Sequence, residues 1–176
     1  TFSNNQFKNE FIFPTKSSVL GLINNSYKKN AILLFGLGNN KKHTIIDSNN
    51  VGFLLKDLPK YGKTTVSSHE VLFLDKPCKK IKIKSLQNDS IYEIITLKDL
   101  KIKNVNWCTP FNMINDVIME YSLKQYGMEM HFKAVSIKNI TPKDDFLQLD
   151  KKYKFSIMKE YLKEIKAMLS IFDCDE

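Results

Sequence analysis

No arginine occurs among the 176 residues; all 27 basic side chains are lysine. That absence excludes the planar five-donor fork by which proteins read guanine edges or clamp carboxylates bidentately. Cysteine is nearly absent as well. Cys78, Cys108 and Cys174 lie far apart and form no C-x-x-C pair, which excludes a disulfide framework and leads us to expect reduced thiols. His43, His69 and His131 fall at no metal-ligand spacing, so neither a metal nor another cofactor is expected. Long apolar runs are missing too. Ala31 to Phe35 and Val71 to Leu74 are the longest, far short of the roughly 20 residues that cross a bilayer. No signal-peptide pattern opens the chain, and a soluble, cytoplasmic protein is expected. With only six glycines, the single Gly-x-Gly at Gly36 and Gly38 leads into β-branched Thr44, Ile45 and Ile46. A nucleotide-binding loop leads into a helix, so a turn is expected here.

What remains is apolar material and positive charge. A hydrophobic fraction of 43% suffices for a sizeable core, and the length suits one α+β domain over residues 1–176. The net charge of +8 favours a polyanionic partner that lysine can neutralise in a salt-dependent way, although abundant Asn, Ile and Lys also describe an ordinary solvated surface.

Along the chain, Pro14 and the hydroxyls of Thr15, Ser17 and Ser18 read as a helix start, with Val19, Leu20, Leu22 and Ile23 on its apolar side and an end near Asn24 and Asn25. Gly21 inside it implies a close approach by another backbone or by a ligand. Ala31–Phe35 and His43–Ile46 read as a hairpin, and Asn50 to Leu58 as a short helix stopped by Pro59. Lys60, Tyr61, Gly62 and Lys63 read as a loop that offers a stacking ring between two charges. Thr64–Leu74 pairs with Lys80–Lys84, where Ile81 and Ile83 alternate with lysines. With Lys76 and Lys79 this is the densest positive region, part of an inserted basic hairpin over 60–100. Ser90 to Leu100 suits a strand or a helix equally. Thr109 and Pro110 open a helix marked by Phe111, Ile114, Val117, Ile118 and Tyr121 and stopped by Gly127. Met128 to Ile140 alternates as a strand with a bulge near Ala134. Residues 150–176 carry an amphipathic helix laid across a sheet, through Phe155, Met158, Leu162, Ile165, Leu169 and Phe172.

The run F-P-T-K-S-S-V-L-G-L-I from Phe13 to Ile23 resembles the F-P-T-R-S-x-x-L-G-L-L run of the Cas-five family of CRISPR effector subunits. Thr1 and Phe2 precede it at a similar interval. The resemblance implies a ferredoxin-like (RRM-like) core with an inserted β-hairpin, its first strand expected upstream of Thr1. It also implies an RNA-binding subunit that holds the 5′ end of a guide RNA beside other protein subunits. On that reading Thr15, Lys16, Ser17 and Ser18 touch phosphates and Gly21 allows close approach. Lys60, Tyr61, Lys63, Lys76, Lys79, Lys80, Lys82 and Lys84 then track the strand. Two alternatives stand beside it. One is a small basic nuclease or nucleic-acid-processing enzyme using Glu129, His131 and Lys133, which share a strand face and combine a base with a cation. The other is an interaction module using the C-terminal helix. Non-catalytic binding is the default expectation.

Overall fold

The computed structural model describes residues 2–3, 6–12, 18–98, 100, 102–125, 128–138 and 147–169. Its contacts divide the chain into two compact units, Thr1–Leu54 with Thr141–Glu176, and Leu55–Ile140. The second is thus inserted, in sequence, between the two parts of the first. The whole is α+β, with most residues in strands of two sheets and few helices. Among the described residues no helix is long and apolar enough to cross a membrane.

In the first unit, β1 (Phe2–Ser3), β2 (Gln6–Ile12), β3 (Ser18–Asn25), β4 (Asn30–Leu37) and β5 (Asn40–Ile46) form a sheet in chain order, and β11 (Lys154–Phe155) adds itself in parallel to β5. The helix expected from Thr15 to Asn25 is therefore corrected: Ser18–Asn25 is a strand paired on both sides, by β2 and β4. Its backbone groups go to two neighbours, and that ladder outweighs the local helix-start chemistry. The close approach inferred at Gly21 is present in this different setting. A Cβ there would stand 3.3 Å from the Asn9 carbonyl oxygen and 3.2 Å from Leu34 Cδ1. The hairpin of β4 and β5 forms as expected, turning at Gly38 with φ +56°, the position where a type II′ turn calls for glycine.

Helix α1 (Val51–Leu55) is shorter than its expected span. Helix α2 (Met158–Leu169) lies on the first unit's sheet, as the periodicity required: Tyr161 and Phe35 are buried, and Leu20, Leu33, Leu162 and Ile165 pack around them. Tyr161 also donates a hydrogen bond to the Leu34 carbonyl at 3.1 Å.

The second unit is a five-stranded antiparallel meander of β6 (Tyr61–Phe73), β7 (Lys76–Ser85), β8 (Ile91–Leu97), β9 (Val117–Gln125) and β10 (Met128–Lys133). Ser90 to Leu100 thus resolves as a strand, and the expected hairpin over 60–100 is three strands of this sheet. Three expectations are overturned in this unit. Tyr61 is a buried core residue at the start of β6, its ring stacked on Phe111 at 5.2 Å, and not the stacking platform of a loop. The helix expected from Thr109 is absent. Thr109 Oγ1 accepts the Phe111 N–H at 3.1 Å in the manner of a cap, but the chain makes single turns to Ile114 and then enters β9. There Tyr121 and, across a register shift against β8, Ile118 pack on the core, while Val117, Met119 and Leu123 are buried, a strand pattern hidden among helix-compatible spacings. Finally, β10 ends at Lys133, with one further ladder bond from Ala134 N to Met119 O. The shift of apolar phase after Ala134 marks the strand's end, with no bulge.

Core residues Ile81, Ile83, Ile94, Phe111 and Ile114 cover one face of this sheet. The other face is mixed and curled, with lysines beside buried Phe73, Cys78 and Leu97: Lys133 on edge strand β10 places its ammonium 5.3 Å from the ring of Phe73 on the opposite edge strand β6.

Candidate nucleic-acid interface

Of the residues expected to grip an anion at the first motif, Thr15, Lys16 and Ser17 lie outside the described residues. Ser18 opens β3, and Gly21 sits in mid-strand. The lysines of β7 are where alternation puts them, but they are not free. Lys79 pairs with Asp116 at 3.5 Å, Lys80 and Lys82 share Glu93 at 3.0 and 3.7 Å, and Lys84 meets Asp89 at 2.8 Å. The hydrogen bond from Lys80 holds the Glu93 carboxyl below its ordinary range, with Lys82 adding to the effect. Exposed pairs of this kind are weak, so a phosphate can displace them, yet each displacement strands a carboxylate beside the ligand. Lys60 and Lys76 stand exposed, and the side chain of Lys63 lies outside the described residues.

On β9 and β10 the registry sets Glu129 against Lys124, His131 against Ser122 and Lys133 against Glu120. The three expected residues do share a face, but the convergent group is different. His131 Nε2 lies 3.1 Å from Glu120 Oε1, Lys133 Nζ lies 3.4 Å from Glu120 Oε2, and Ser122 Oγ lies 3.0 Å from His131 Nδ1. Glu120 and Ser122 are thus additions, concealed in the sequence by the helix reading of Phe111 to Tyr121. Among the described residues no three His, Cys, Asp or Glu side chains gather as metal ligands. Cys78 and Cys108 are buried free thiols; burial raises both above the usual range, Cys108 to about 12.

A different surface in the first unit combines rings and charge. The segment Lys151-Lys152-Tyr153-Lys154-Phe155 runs up to β5 and pairs there, Lys154 with Lys42 and Phe155 with His43; the Ser156 N–H then binds the His43 carbonyl at 2.8 Å. The Phe155 ring is 62% exposed and stands edge-on to His43, centroids 5.7 Å apart. Lys41 holds its ammonium 5.8 Å from the Tyr153 ring centre. Burial pushes the Tyr153 hydroxyl above its ordinary range, and Glu10 and Asp150 add to this. Lys42 turns the other way and pairs with Glu164 of α2. Among the described residues, Lys41, Lys151, Lys152 and Lys154 make no ion pair with a carboxylate. Phe155 and His43 share one face of this edge, Lys154 lies with Lys42 on the other, and Lys41 at the Tyr153 ring with exposed Lys151 and Lys152 supplies charge beside the rings, the elements of a stacking and phosphate-neutralising surface. The sequence signal is the alternation of lysine with aromatics over 152–155, which the helical periodicity of the same stretch masks. No protein-family model, curated protein or solved structure matches the chain.

Proposed function

We propose that the chain binds single-stranded RNA on the β5–β11 edge of its first unit. Phe155 and Tyr153 offer base-stacking rings, and Lys41, Lys151 and Lys152 neutralise phosphates. The single observation that carries this reading is the exposed Phe155 ring, supported by His43, beside lysines that have no carboxylate partner among the described residues. Core burial does not account for a phenylalanine so placed, whereas every base has a π-face to lay on it. Without arginine, binding rests on backbone charge and stacking, with little sequence readout.

Fluorescence anisotropy with a short unstructured RNA tests the reading. Phe155→Ala is expected to weaken binding about 5- to 150-fold, since stacking contributes about 1–3 kcal/mol per base. Lys151→Gln with Lys152→Gln is expected to lower the salt slope by about 1.4, because each phosphate neutralised on a single strand contributes ~0.7. Unchanged affinity in both variants, or binding to anionic vesicles with none to RNA, overturns it.

The narrower form of the proposal takes up the resemblance at Phe13 to Ile23. In it the chain is a cytoplasmic RNA-binding subunit of a CRISPR effector complex, with a ferredoxin-like core, a guide RNA as its strand and other subunits as neighbours. RNA that co-purifies with the chain, and that Lys16→Ala combined with Ser18→Ala releases, supports it; a chain that purifies free of RNA and takes up no guide argues against it.

A further inference from the structure

One face of the second unit's sheet sets a hydroxyl, an imidazole and a carboxylate in a row, Ser122 hydrogen-bonded to His131 and Glu120 beside the far ring nitrogen. It is independent of the RNA surface. Glu120 Oε1 lies 3.1 Å from His131 Nε2, a separation at which the carboxylate favours a proton on that nitrogen. The neutral imidazole then offers its Nδ1 lone pair to the Ser122 hydroxyl, 3.0 Å away. Lys133 holds the second oxygen of Glu120 at 3.4 Å and steadies the carboxylate. Two antiparallel strands set this geometry, because Ser122 faces His131 and Glu120 faces Lys133 across the ladder. Glu120 is 20% exposed while His131 is 56% exposed, so the orienting group is sheltered and the base is reachable.

We propose that Ser122 is a nucleophile for acyl transfer, with His131 as general base and Glu120 as the positioning residue. The arrangement matches the logic of a base that activates a hydroxyl and is itself oriented by a third group, with the two ring nitrogens exchanged relative to the serine proteases. The substrate class is a carboxylic ester that can approach an open sheet face. Ser122 Oγ bonds to the acyl carbon as its proton passes to His131 Nδ1. The ester C–O bond breaks, and the departing alkoxide takes that proton and leaves as the alcohol. Water, deprotonated by His131, then attacks the acyl-serine and restores the hydroxyl, leaving the free acid.

A fluorophosphonate probe tests the proposal on the whole chain, because its phosphorus is attacked by the same activated hydroxyl with loss of fluoride. One adduct is expected by intact mass, mapped by peptide sequencing to Ser122 and absent in Ser122→Ala. His131→Gln is expected to slow labelling at least about 100-fold, the usual contribution of a positioned base. Glu120→Gln is expected to slow it about tenfold, and Glu120→Asp to recover part of that loss, which a purely structural carboxylate would not do. All three side chains reach solvent, and equal melting temperatures establish that the variants fold. No adduct on the wild-type chain, label only on lysine or tyrosine, or equal Ser122 labelling in His131→Gln overturns the proposal.

Discussion

Leu74 and Asp75 connect β6 to β7 with φ angles of 51° and 58°, both in the left-handed region. The two-residue loop between the paired Phe73 and Lys76 wants such angles, because they match the strands' twist, but it wants Asn or Gly to adopt them. A leucine there carries about 1–2 kcal/mol of backbone strain. Leu74 is also partly exposed, so little burial is lost on replacing it. Leu74→Asn is therefore expected to stabilise the protein by about 1 kcal/mol, read as a higher urea midpoint at unchanged slope. An unchanged midpoint would mean that the turn bears no such strain. At this scale legibility depended on whether neighbours or partners decide a residue's role. Gly21 announced a close approach because nothing else explains a missing Cβ among apolar residues. Tyr61 misled because Lys60, Gly62 and Lys63 look like a loop, while the ring that claims it, Phe111, lies far along the chain.

Elements were legible where their pattern had one solution. Helix α2 and the β4–β5 hairpin follow from periodicity and turn residues, and the β6–β7 pairing from alternation alone, its turn at Leu74 and Asp75 carrying no turn signal. The segments misread as helices, Ser18–Asn25 and Val117–Gln125, are strands whose apolar residues fit either period. Pairing on both sides decided the first, and long-range ladders are invisible to a local reading. The chain between β8 and β9 shows how a failed helix is replaced. Asn106 is buried and donates to the carbonyls of Ile114 at 2.7 Å and Asp116 at 3.0 Å, while Thr109 donates to the Asn106 carbonyl at 2.9 Å. These bonds lay Phe111 and Ile114 onto the sheet. Asn106→Asp removes both donors and sets an acceptor against two acceptors. It is expected to cost about 3 kcal/mol or more in chemical denaturation, and a loss below about 1 kcal/mol would refute that role. In the first unit the docking of α2 makes a parallel case. Tyr161→Ala is expected to cost about 3–5 kcal/mol through lost packing. Tyr161→Phe, which removes only the bond to Leu34, is expected to cost about 1 kcal/mol. Equal losses from the two changes would place the stabilisation in the hydroxyl instead of the ring.

Across the whole molecule, the composition disclosed the sign and amount of charge but not its arrangement. The lysine row of β7 is answered by Glu93, Asp89 and Asp116, whereas lysines scattered between Lys41 and Lys154 gather on one edge only when β11 joins β5. The distribution of buried acids with neutral protonated forms is equally hidden, and it governs the response to alkali. Burial holds the Tyr61 hydroxyl up at about 12, with Tyr92 adding to the effect, and burial alone does the same for Tyr121. The Cys108 thiol is likewise pushed to about 12, and Tyr161 is raised further by burial and by Tyr153. In the unfolded chain these groups give up their protons from about pH 8.5 for the thiol and about pH 10 for the phenols. Above those values the unfolded chain binds fewer protons than the folded one, so stability falls as pH rises. Their contribution is complete below about pH 8.5 and is lost progressively as pH climbs towards the folded values near 12. The melting temperature is therefore expected to change little up to about pH 8.5 and to drop steeply beyond about pH 10. Tyrosinate absorbance from the buried rings should rise together with unfolding and not ahead of it. A titration in which those rings ionise while the far-ultraviolet signal stays native would show that they are wetter than this packing allows, and the alkaline loss should then vanish as well.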